Sequence, residues 1–400
     1  MSATEQEFDL SIWIDLLKKF GKTNETPTVR WIANAYGVSR HIANAYRFAF
    51  LNRWAMDKDP SIEHNIKLAY CRDDNHNLRV SNKSLFYENG QLKAQIDFLM
   101  ALKTIDAEAI KPIKIGISEK MVEECTVYTA LSDAHMDEVV EPATVKFINE
   151  FNPDIAKARI RRYFKRSVWM VRQLRLGGWN IQNYVQALLG DLISGYIHEE
   201  LMENNSMSPT EAVIFVSELL VEGIKTLVNE TGIDNIKIIC IRGNHSRTSV
   251  RKKYSTGYKN SYEFMMYTQL KQMFDIMPGY ENVEFIIPKS EFQLIEIYDK
   301  SICNSHGDHF NYRGGVGGVE IPFKGWIYKM QRILPADKYS IAHWHQYYNS
   351  RSGMINGSLI GYNAFAMGHA FEPEDPQMQF QIIDSKRGFT INTPIKLVDW

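Results

Sequence analysis

Side chains that can bind metal ions follow five short apolar segments of the sequence, at residues 126–131, 184–189, 236–241, 300–305 and 339–342. In chain order these side chains are Asp133 and His135, Asp191, Asn244 and His245, His306, and His343 and His345. In α/β folds, functional groups gather beyond the carboxyl ends of the strands. Because the arrangement occurs five times in succession, it predicts that these residues share one site.

The spacing within two of the groups supports this prediction. Asp133 and His135 are two residues apart, so in extended chain they point to the same side, and His343 and His345 repeat this arrangement. Imidazole, carboxylate and one amide oxygen, without a thiolate, suit manganese, zinc or iron. Seven ligands are too many for one tetrahedral ion, but they suit two ions that share a carboxylate.

The sequence pattern around these residues predicts an α/β domain that positions them. The five apolar segments predict strands, and helical patterns at 154–176 and 208–230 lie between them. We expect a helical module over residues 1–55, a connector over 56–120 and the α/β domain over 121–400. An alternating stretch at 78–98 predicts a hairpin in the connector.

The N-terminal module has the small-residue spacing of a helix-turn-helix. Ala33 and Ala43 let two helices cross closely, Gly37 turns the chain, and Ser39 can cap the second helix. The residues that this helix would present to DNA are Arg40, His41, Asn44 and Arg47. Alternatively, this pair of helices packs on the catalytic domain or mediates formation of a homodimer.

The composition restricts the class of protein. The 46 Lys and Arg residues nearly balance the 47 Asp and Glu residues, which excludes a strongly basic protein that coats nucleic acid. No segment approaches the roughly 18 apolar residues of a membrane span. The N-terminus is acidic where a signal peptide would be basic, and the four cysteines form no Cys-x-x-Cys pair. We therefore expect a cytoplasmic protein with no membrane partner.

The order Asp-x-His, Gly-Asp, Gly-Asn-His, His and His-x-His, between about residues 125 and 350, resembles that of the calcineurin-like metallophosphoesterase superfamily. With the helix-turn-helix in front, the chain is similar to phage-encoded, DNA-repair-exonuclease-like members. The resemblance implies a four-layer α-β-β-α sandwich, and a protein of the host cytoplasm if a phage encodes it. Many members have a second acidic residue shortly after Gly-Asp, where this chain reads Leu192-Ile193-Ser194, and the chain also departs from the usual pattern at Ser246 and Ala342.

Carried over residue by residue, the resemblance implies two divalent metal ions, with Mn²⁺ foremost and Zn²⁺, Fe²⁺ or Ni²⁺ as alternatives. One ion would be held by Asp133, His135 and His345, the other by Asn244, His306 and His343, and Asp191 would bridge them. His306 is preferred to His309 because it lies directly at the strand end. A hydroxide between the ions would attack the phosphorus, and His245 would act as the general acid.

The substrate is less constrained by the sequence. The basic residues Arg247, Arg251, Lys252 and Lys253 follow His245 and could bind phosphates of DNA, although a solvated loop explains them equally well. We expect a DNA nuclease. The alternatives are a phosphodiesterase or phosphatase acting on a nucleotide, and a DNA-binding regulator with a vestigial metal site. The sequence gives no sign of an ATPase partner.

Overall fold

The computed structural model describes residues 10–20, 26–38, 40–51, 85, 89, 113–115, 124–197, 199–311 and 318–398. The chain divides into two compact units, residues 1–97 and residues 98–400. The finer division at residues 55 and 120 stays a prediction, because most of residues 52–112 lie outside the described ranges.

The N-terminal unit contains three described helices, α1 (Leu10–Phe20), α2 (Val29–Tyr36) and α3 (Arg40–Leu51). Thr28 begins α2 by accepting a hydrogen bond from the main-chain N–H of Trp31, and Gly37 ends it at φ 64°, a left-handed conformation that suits glycine. The helices bury a small core of their own, which includes Leu16, Ile32 and Ala43. The helices and the turn at Gly37 agree with the sequence pattern. The cap at Ser39 lies outside the described residues, and a DNA-binding role stays a prediction.

The hairpin expected at 78–98 also lies almost wholly outside the described residues. Only Leu85 and Asn89 of that stretch are described, and both are helical.

The described part of the C-terminal unit contains twelve strands. In chain order they are β1 (Ile113–Ile115), β2 (Cys125–Leu131), β3 (Ile181–Leu188), β4 (Asn235–Cys240), β5 (Val283–Ile286), β6 (Phe292–Ile297), β7 (Lys300–Ser305), β8 (Lys338–Ile341), β9 (Tyr348–Asn349), β10 (Gly353–Ile355), β11 (Gln377–Asp384) and β12 (Gly388–Lys396). They form two six-stranded sheets, with the orders β1-β6-β7-β8-β10-β9 and β12-β11-β2-β3-β4-β5.

Parallel pairing determines where the loops meet. Strands β2, β3, β4 and β5 are parallel to one another in one sheet, and β7 is parallel to β8 in the other. The carboxyl ends of neighbouring parallel strands lie at the same edge of a sheet, so the loops that follow them are adjacent. All five strands predicted from the sequence are confirmed, although β3 begins three residues earlier than predicted. The sequence did not reveal β1. This strand lies in the predicted connector and pairs with β6.

The two sheets pack face to face. Val185 and Ile239 of one sheet share a buried apolar cluster with Ile295 and Met354 of the other. The hydroxyl group of Tyr128 crosses this interface and bonds to the side chains of Asn304, at 2.7 Å, and Ser340, at 2.8 Å. Burial of these hydrogen-bonded polar groups fixes how one sheet sits on the other.

The described helices of this unit are α4 (Pro153–Leu176), α5 (Glu199–Asn204), α6 (Pro209–Thr231), α7 (Tyr262–Asp275), α8 (Glu320–Met330) and α9 (Ala364–Gly368). Asn152 caps α4, and Ser208 and Glu211 form a capping box at the start of α6, close to the boundaries that the sequence predicts. Apolar residues of α4, α6 and α7 join the core with the sheet that contains β2, and those of α8 join it with residues of β6 and β7. The architecture is a mixed α/β fold with two packed six-stranded sheets.

In the described ranges, none of the helices combines the length and the apolar character that crossing a membrane requires. Cys125, Cys240 and Cys303 are buried on three different strands.

Candidate metal centre

The loops that follow β2 and β3 are joined along their main chains. The N–H of Asp133 donates to the carbonyl of Gly190 at 3.0 Å, and the N–H of His135 donates to the carbonyl of Asp191 at 3.1 Å. The loop after β4 presses against them so closely that a Cβ atom on Gly243 would lie 2.0 Å from a carboxylate oxygen of Asp191. A Cβ atom on Gly190 would lie 2.3 Å from the nitrogen of Gly243. The glycines of the Gly-Asp and Gly-Asn-His motifs therefore permit the close approach of two loops.

The structure brings together six of the seven predicted ligands in two groups, in which every residue except the half-buried His343 is buried. Asp133, His135 and His345 form what we call the first cluster, and Asp191, His306 and His343 form the second cluster. In each cluster, one potential ligand atom from every residue lies within 4.8 Å of the others. These are carboxylates and imidazoles from parts of the chain up to about two hundred residues apart, which is the donor set that divalent transition metals require.

The backbone at these ligands is unusual. Among the described residues, nine non-glycine residues have positive φ, and five of them are predicted ligands: Asp133, His135, Asp191, His343 and His345. This region of conformational space is unfavourable for residues with a Cβ atom, and such residues concentrate at functional sites. Main-chain bonds between the loops hold Asp133, His135 and Asp191 in place, and the N–H of His343 donates to the carboxylate of Asp133.

In the first cluster, Asp133 receives several donors. Its carboxylate accepts the hydroxyl hydrogen of Ser132 at 2.7 Å and the main-chain N–H of His343 at 3.1 Å. The Nε2 atom of His345 lies 3.6 Å from Asp133 Oδ1, and its buried Nδ1 atom has no hydrogen-bond partner in the described part of the chain.

At the second cluster, His306 lies close to two potential ligand oxygens, one from Asp191 and one from the neighbouring Asn244. The Nε2 atom of His306 lies 2.9 Å from Asp191 Oδ2 and 2.9 Å from Asn244 Oδ1. The Nδ1–H group of His306 donates to the carbonyl of Leu189 at 2.7 Å, so a neutral ring would turn a lone pair towards two oxygen acceptors. Either a proton on Nε2 or a divalent metal ion between these atoms would satisfy the two oxygens.

The pKa values of His306 and Asp191 also indicate that positive charge belongs at this place. Burial would lower the pKa of His306, but the carboxylate of Asp191 raises it to about 10. Burial would raise the pKa of Asp191, yet the positive charges of His306 and His245 hold it well below its usual range. Asp191 is thus an anion in a buried place, and it needs positive charge beside it.

A polar relay that the sequence did not reveal supports His135. Its Nδ1 atom lies 3.0 Å from the hydroxyl oxygen of Ser194, and that hydroxyl donates to Glu138 at 3.2 Å. Asn363 donates to the other oxygen of Glu138 at 3.1 Å. The relay directs the Nδ1–H of His135 to Ser194 and leaves Nε2 for a ligand. The contacts of Ser194 span 59 and 56 residues of sequence, so no local pattern marks them.

Glu263 is a second residue that sequence reasoning missed. It lies in the first turn of α7 and is fully buried. One carboxylate oxygen accepts the N–H of Leu192 at 2.7 Å, and the other accepts the N–H of Gly243 at 2.6 Å. Glu263 therefore holds the Gly-Asp loop beside the Gly-Asn-His loop. No motif around it marks this role, because its partners are 71 and 20 residues away.

His245 is fixed beside Asp191. Its main-chain N–H donates to Asp191 Oδ1 at 2.8 Å, and its Nδ1 atom lies 3.0 Å from the carbonyl of Ser194. A carbonyl only accepts, so Nδ1 carries the proton and Nε2 remains to exchange a proton elsewhere. His245 lines a cavity of about 450 Å³ together with ligands of both clusters. His309, in contrast, bonds to Ser305 and packs against Phe292 and Trp326.

The predicted phosphate-binding residues fall into two pairs. The guanidinium group of Arg247 donates to the carbonyls of Asn244 at 2.9 Å and Ser249 at 3.1 Å, and Lys252 forms ion pairs with Asp308 and Glu291. These two residues support the loop. Arg251 and Lys253 are exposed.

The residues predicted to contact DNA belong to the N-terminal unit. Arg40 and Asn44 are exposed on α3, and nothing is described of the side chain of His41. Arg47 is half-buried and donates to the carbonyl of Pro27 at 3.1 Å, so it also holds the helices of this unit together.

No protein-family model and no curated protein sequence matches this chain. Among solved structures, the chain is similar to a single mutant of Vps29 from Entamoeba histolytica, with a TM-score of 0.26 and 11% identity over 67% of this chain and 98% of that one. A double mutant of the same protein gives a TM-score of 0.24 and 11% identity over 68% of this chain and 98% of that one. At these scores the likeness is too distant to support an argument about function.

Proposed function

We propose that the chain is a phosphodiesterase that depends on two divalent metal ions, Mn²⁺ foremost, and that it hydrolyses DNA. The observation that carries this proposal is the pair of buried His and carboxylate clusters beside Asp191 and His245. Asp133, His135 and His345 would hold one ion, Asn244, His306 and His343 the other, and Asp191 both. When bound, the ions would polarise a phosphoryl group and activate water.

The residues of the chain supply the rest of the chemistry. Asp191 receives the N–H of His245, and this bond orients the imidazole at the cavity that the two clusters line. Because Nδ1 of His245 is committed to the carbonyl of Ser194, a proton on Nε2 is the one that the ring can give to a departing oxygen. The buried ligands keep bulk water from screening the charges.

The first experiment measures Mn²⁺-dependent hydrolysis of a chromogenic phosphodiester and of end-labelled DNA. Asp191→Asn and His245→Ala are expected to lower kcat/KM for both substrates by about 10²–10⁴-fold, because each removes a group from the reacting centre. The matched control is Asp384→Asn, since Asp384 is also buried but bonds to Lys386 and Arg387. Full activity in Asp191→Asn, or equal losses in the control, would contradict the proposal.

Recruitment of DNA by the N-terminal unit needs a separate test. The double variant Arg40→Ala with Asn44→Ala is expected to raise KM for DNA and leave KM for the small diester unchanged, because phosphate contacts contribute only where a strand is bound. Lys18→Ala is the control, since Lys18 is exposed on α1 instead. Equal effects of the double variant and the control would exclude recruitment through α3.

A nucleotide is the second candidate substrate, and one observation favours it. The described residues that line the cavity of about 450 Å³ include Glu138 and Glu200 but neither lysine nor arginine. A volume of this size falls in the range of about 300–1,000 Å³ typical of small-molecule sites. Hydrolysis of the chromogenic diester without cleavage of DNA would support this candidate.

A further inference from the structure

An aromatic surface borders the two clusters. Phe365 and His369 of the segment 364–371 have ring centroids 4.3 Å apart, and His369 stacks on Phe371 at 5.6 Å. We call these three residues the aromatic shelf. Phe371 is buried, Phe365 is half-buried and His369 is exposed. An exposed ring beside a polar site is available for contact with a flat ligand.

The aromatic shelf is held firmly in place. Asn363 caps α9 by accepting the N–H of Ala366 at 3.1 Å, and the same side chain donates to the buried Glu138. The Nδ1–H group of His369 donates to the carbonyl of Phe365 at 2.9 Å, which fixes the orientation of the imidazole. A ring that is already ordered loses little conformational freedom when a ligand stacks on it.

The aromatic shelf lies directly beside the candidate metal ligands. The centroid of Phe365 is 5.5 Å from that of His345 in the first cluster and 6.4 Å from that of His343 in the second cluster. Phe365 and His369 line the same cavity as the ligands, together with Glu200 and Asn204 of α5. A group attached to a phosphate at the clusters would therefore meet an aromatic surface and side chains able to hydrogen-bond.

A second hollow lies beside Asn244 and His306, and in it Arg242 and Lys252 are paired with the acidic residues Glu291 and Asp308. Asn244 borders both spaces. A polyanionic strand is disfavoured in the cavity that contains Glu138 and Glu200, which has no lysine or arginine among its described lining residues. The cavity thus suits an uncharged planar group, and its volume allows about one nucleotide.

We propose that the aromatic shelf is a nucleobase subsite, in which Phe365 and His369 stack on the base of the nucleotide whose phosphate lies at the two clusters. The inference rests on the proposed phosphodiesterase function and specifies its substrate as a nucleotide ester. The base belongs either to the terminal residue of a strand or to a free nucleotide. Stacking tolerates every base because each has a π-face.

The test compares two p-nitrophenyl esters with the same leaving group, one of thymidine 5′-phosphate and one of methyl phosphate, in the presence of Mn²⁺. His369→Ala is expected to raise KM for the thymidine ester about tenfold and to leave KM for the methyl ester unchanged. The value of kcat should stay within about twofold, because the lost contact is the same in the ground state and the transition state. His369→Phe keeps an aromatic ring and should restore KM.

Phe365→Leu serves as a second variant, since leucine preserves apolar packing and removes the ring. Equal changes in KM for the two esters, or no change with either variant, would overturn the subsite. An oligonucleotide whose terminal residue lacks its base distinguishes the two sources. A rise in KM relative to the intact strand assigns the subsite to a strand end, and an unchanged KM assigns it to a free nucleotide.

Failure of the phosphodiesterase proposal can be recognised separately, because the wild-type protein would then hydrolyse neither ester. In that case calorimetry compares thymidine 5′-monophosphate with 2-deoxyribose 5-phosphate, both in the presence of Mn²⁺. Tighter binding of the nucleotide that is lost in His369→Ala supports the subsite. Equal binding of the two ligands overturns it.

Discussion

The two candidate metal clusters contain similar ligands but are held in different ways. In the second cluster, His306 contacts both Asp191 and Asn244 directly, and its other nitrogen is bound to a main-chain carbonyl. In the first cluster, His135 relies on the hydroxyl group of Ser194, and Nδ1 of His345 has no hydrogen-bond partner in the described chain. The comparison indicates that the second cluster is the more preorganised of the two, and we expect it to bind its ion more tightly.

The largest effect should come from breaking the second cluster. His306→Ala removes the side chain that touches both Asp191 and Asn244, and we expect kcat/KM for a phosphodiester to fall by about 10²–10³-fold. Metal analysis should find one ion fewer in the variant. His309→Gln is the control, because His309 bonds to Ser305 outside both clusters. Retention of both ions by His306→Ala would contradict the assignment of an ion to the second cluster.

Removal of metal should show that the two clusters release their ions at different chelator concentrations. An ion present at a hundred times its dissociation constant stabilises the folded state by about 2.7 kcal/mol. We therefore expect calorimetric melting at rising chelator concentration to show two steps, and His345→Ala to lose the step at low chelator concentration. A single step in the wild-type protein would show that the clusters bind metal as one unit.

A smaller effect is expected when the support of the first cluster is removed. Ser194→Ala breaks the relay between His135 and Glu138, and loss of such a support weakens metal binding by about 10–100-fold. Calorimetric titration with Mn²⁺ should show this change at the weaker site alone. Ser206→Ala is the control, since its hydroxyl donates to a main-chain carbonyl. Equal weakening of both sites would contradict the assignment.

The smallest effect concerns a buried charge outside both clusters. Lys338 donates to Asn349 and Gln381, both uncharged, and burial lowers its pKa to about 8 from the ordinary 10.5. Between these values the unfolded chain binds the proton that the folded chain has lost, so this lysine makes stability rise with pH. We expect Lys338→Met to flatten the pH dependence of unfolding between about pH 8 and pH 10.5.

Denaturant unfolding of both proteins across this window measures the difference in slope. Parallel curves for the wild-type protein and the variant would show that Lys338 does not titrate in the window. Lys338 differs from the buried charges of the two clusters. Those charges lie beside opposite charges, whereas the partners of Lys338 are uncharged.

The sequence predicted the strands and the residues that meet at their ends, because both depend on patterns a few residues long. Asp133 and His135, for instance, follow directly from the end of β2. The contacts of Ser194 with Glu138 and of Glu263 with Leu192 join positions 56 and 71 residues apart, so short-range patterns do not contain them. The same holds for Phe365, whose neighbours His343 and His345 lie in another loop. The roles of Arg247 and Lys252 also depended on distant or main-chain partners.

Strand β11 pairs with β2 but is made much later during synthesis. Strand β2, which leads into Asp133, lies between β3 and β11, and residues 380–384 of β11 pair with residues 125–129 of β2. During synthesis, β2 therefore waits for about 250 further residues before its second neighbour leaves the ribosome. Contacts between such distant segments form slowly. Completion of the sheet beneath the candidate metal ligands is consequently a late event in folding, because it requires β11 to be made first.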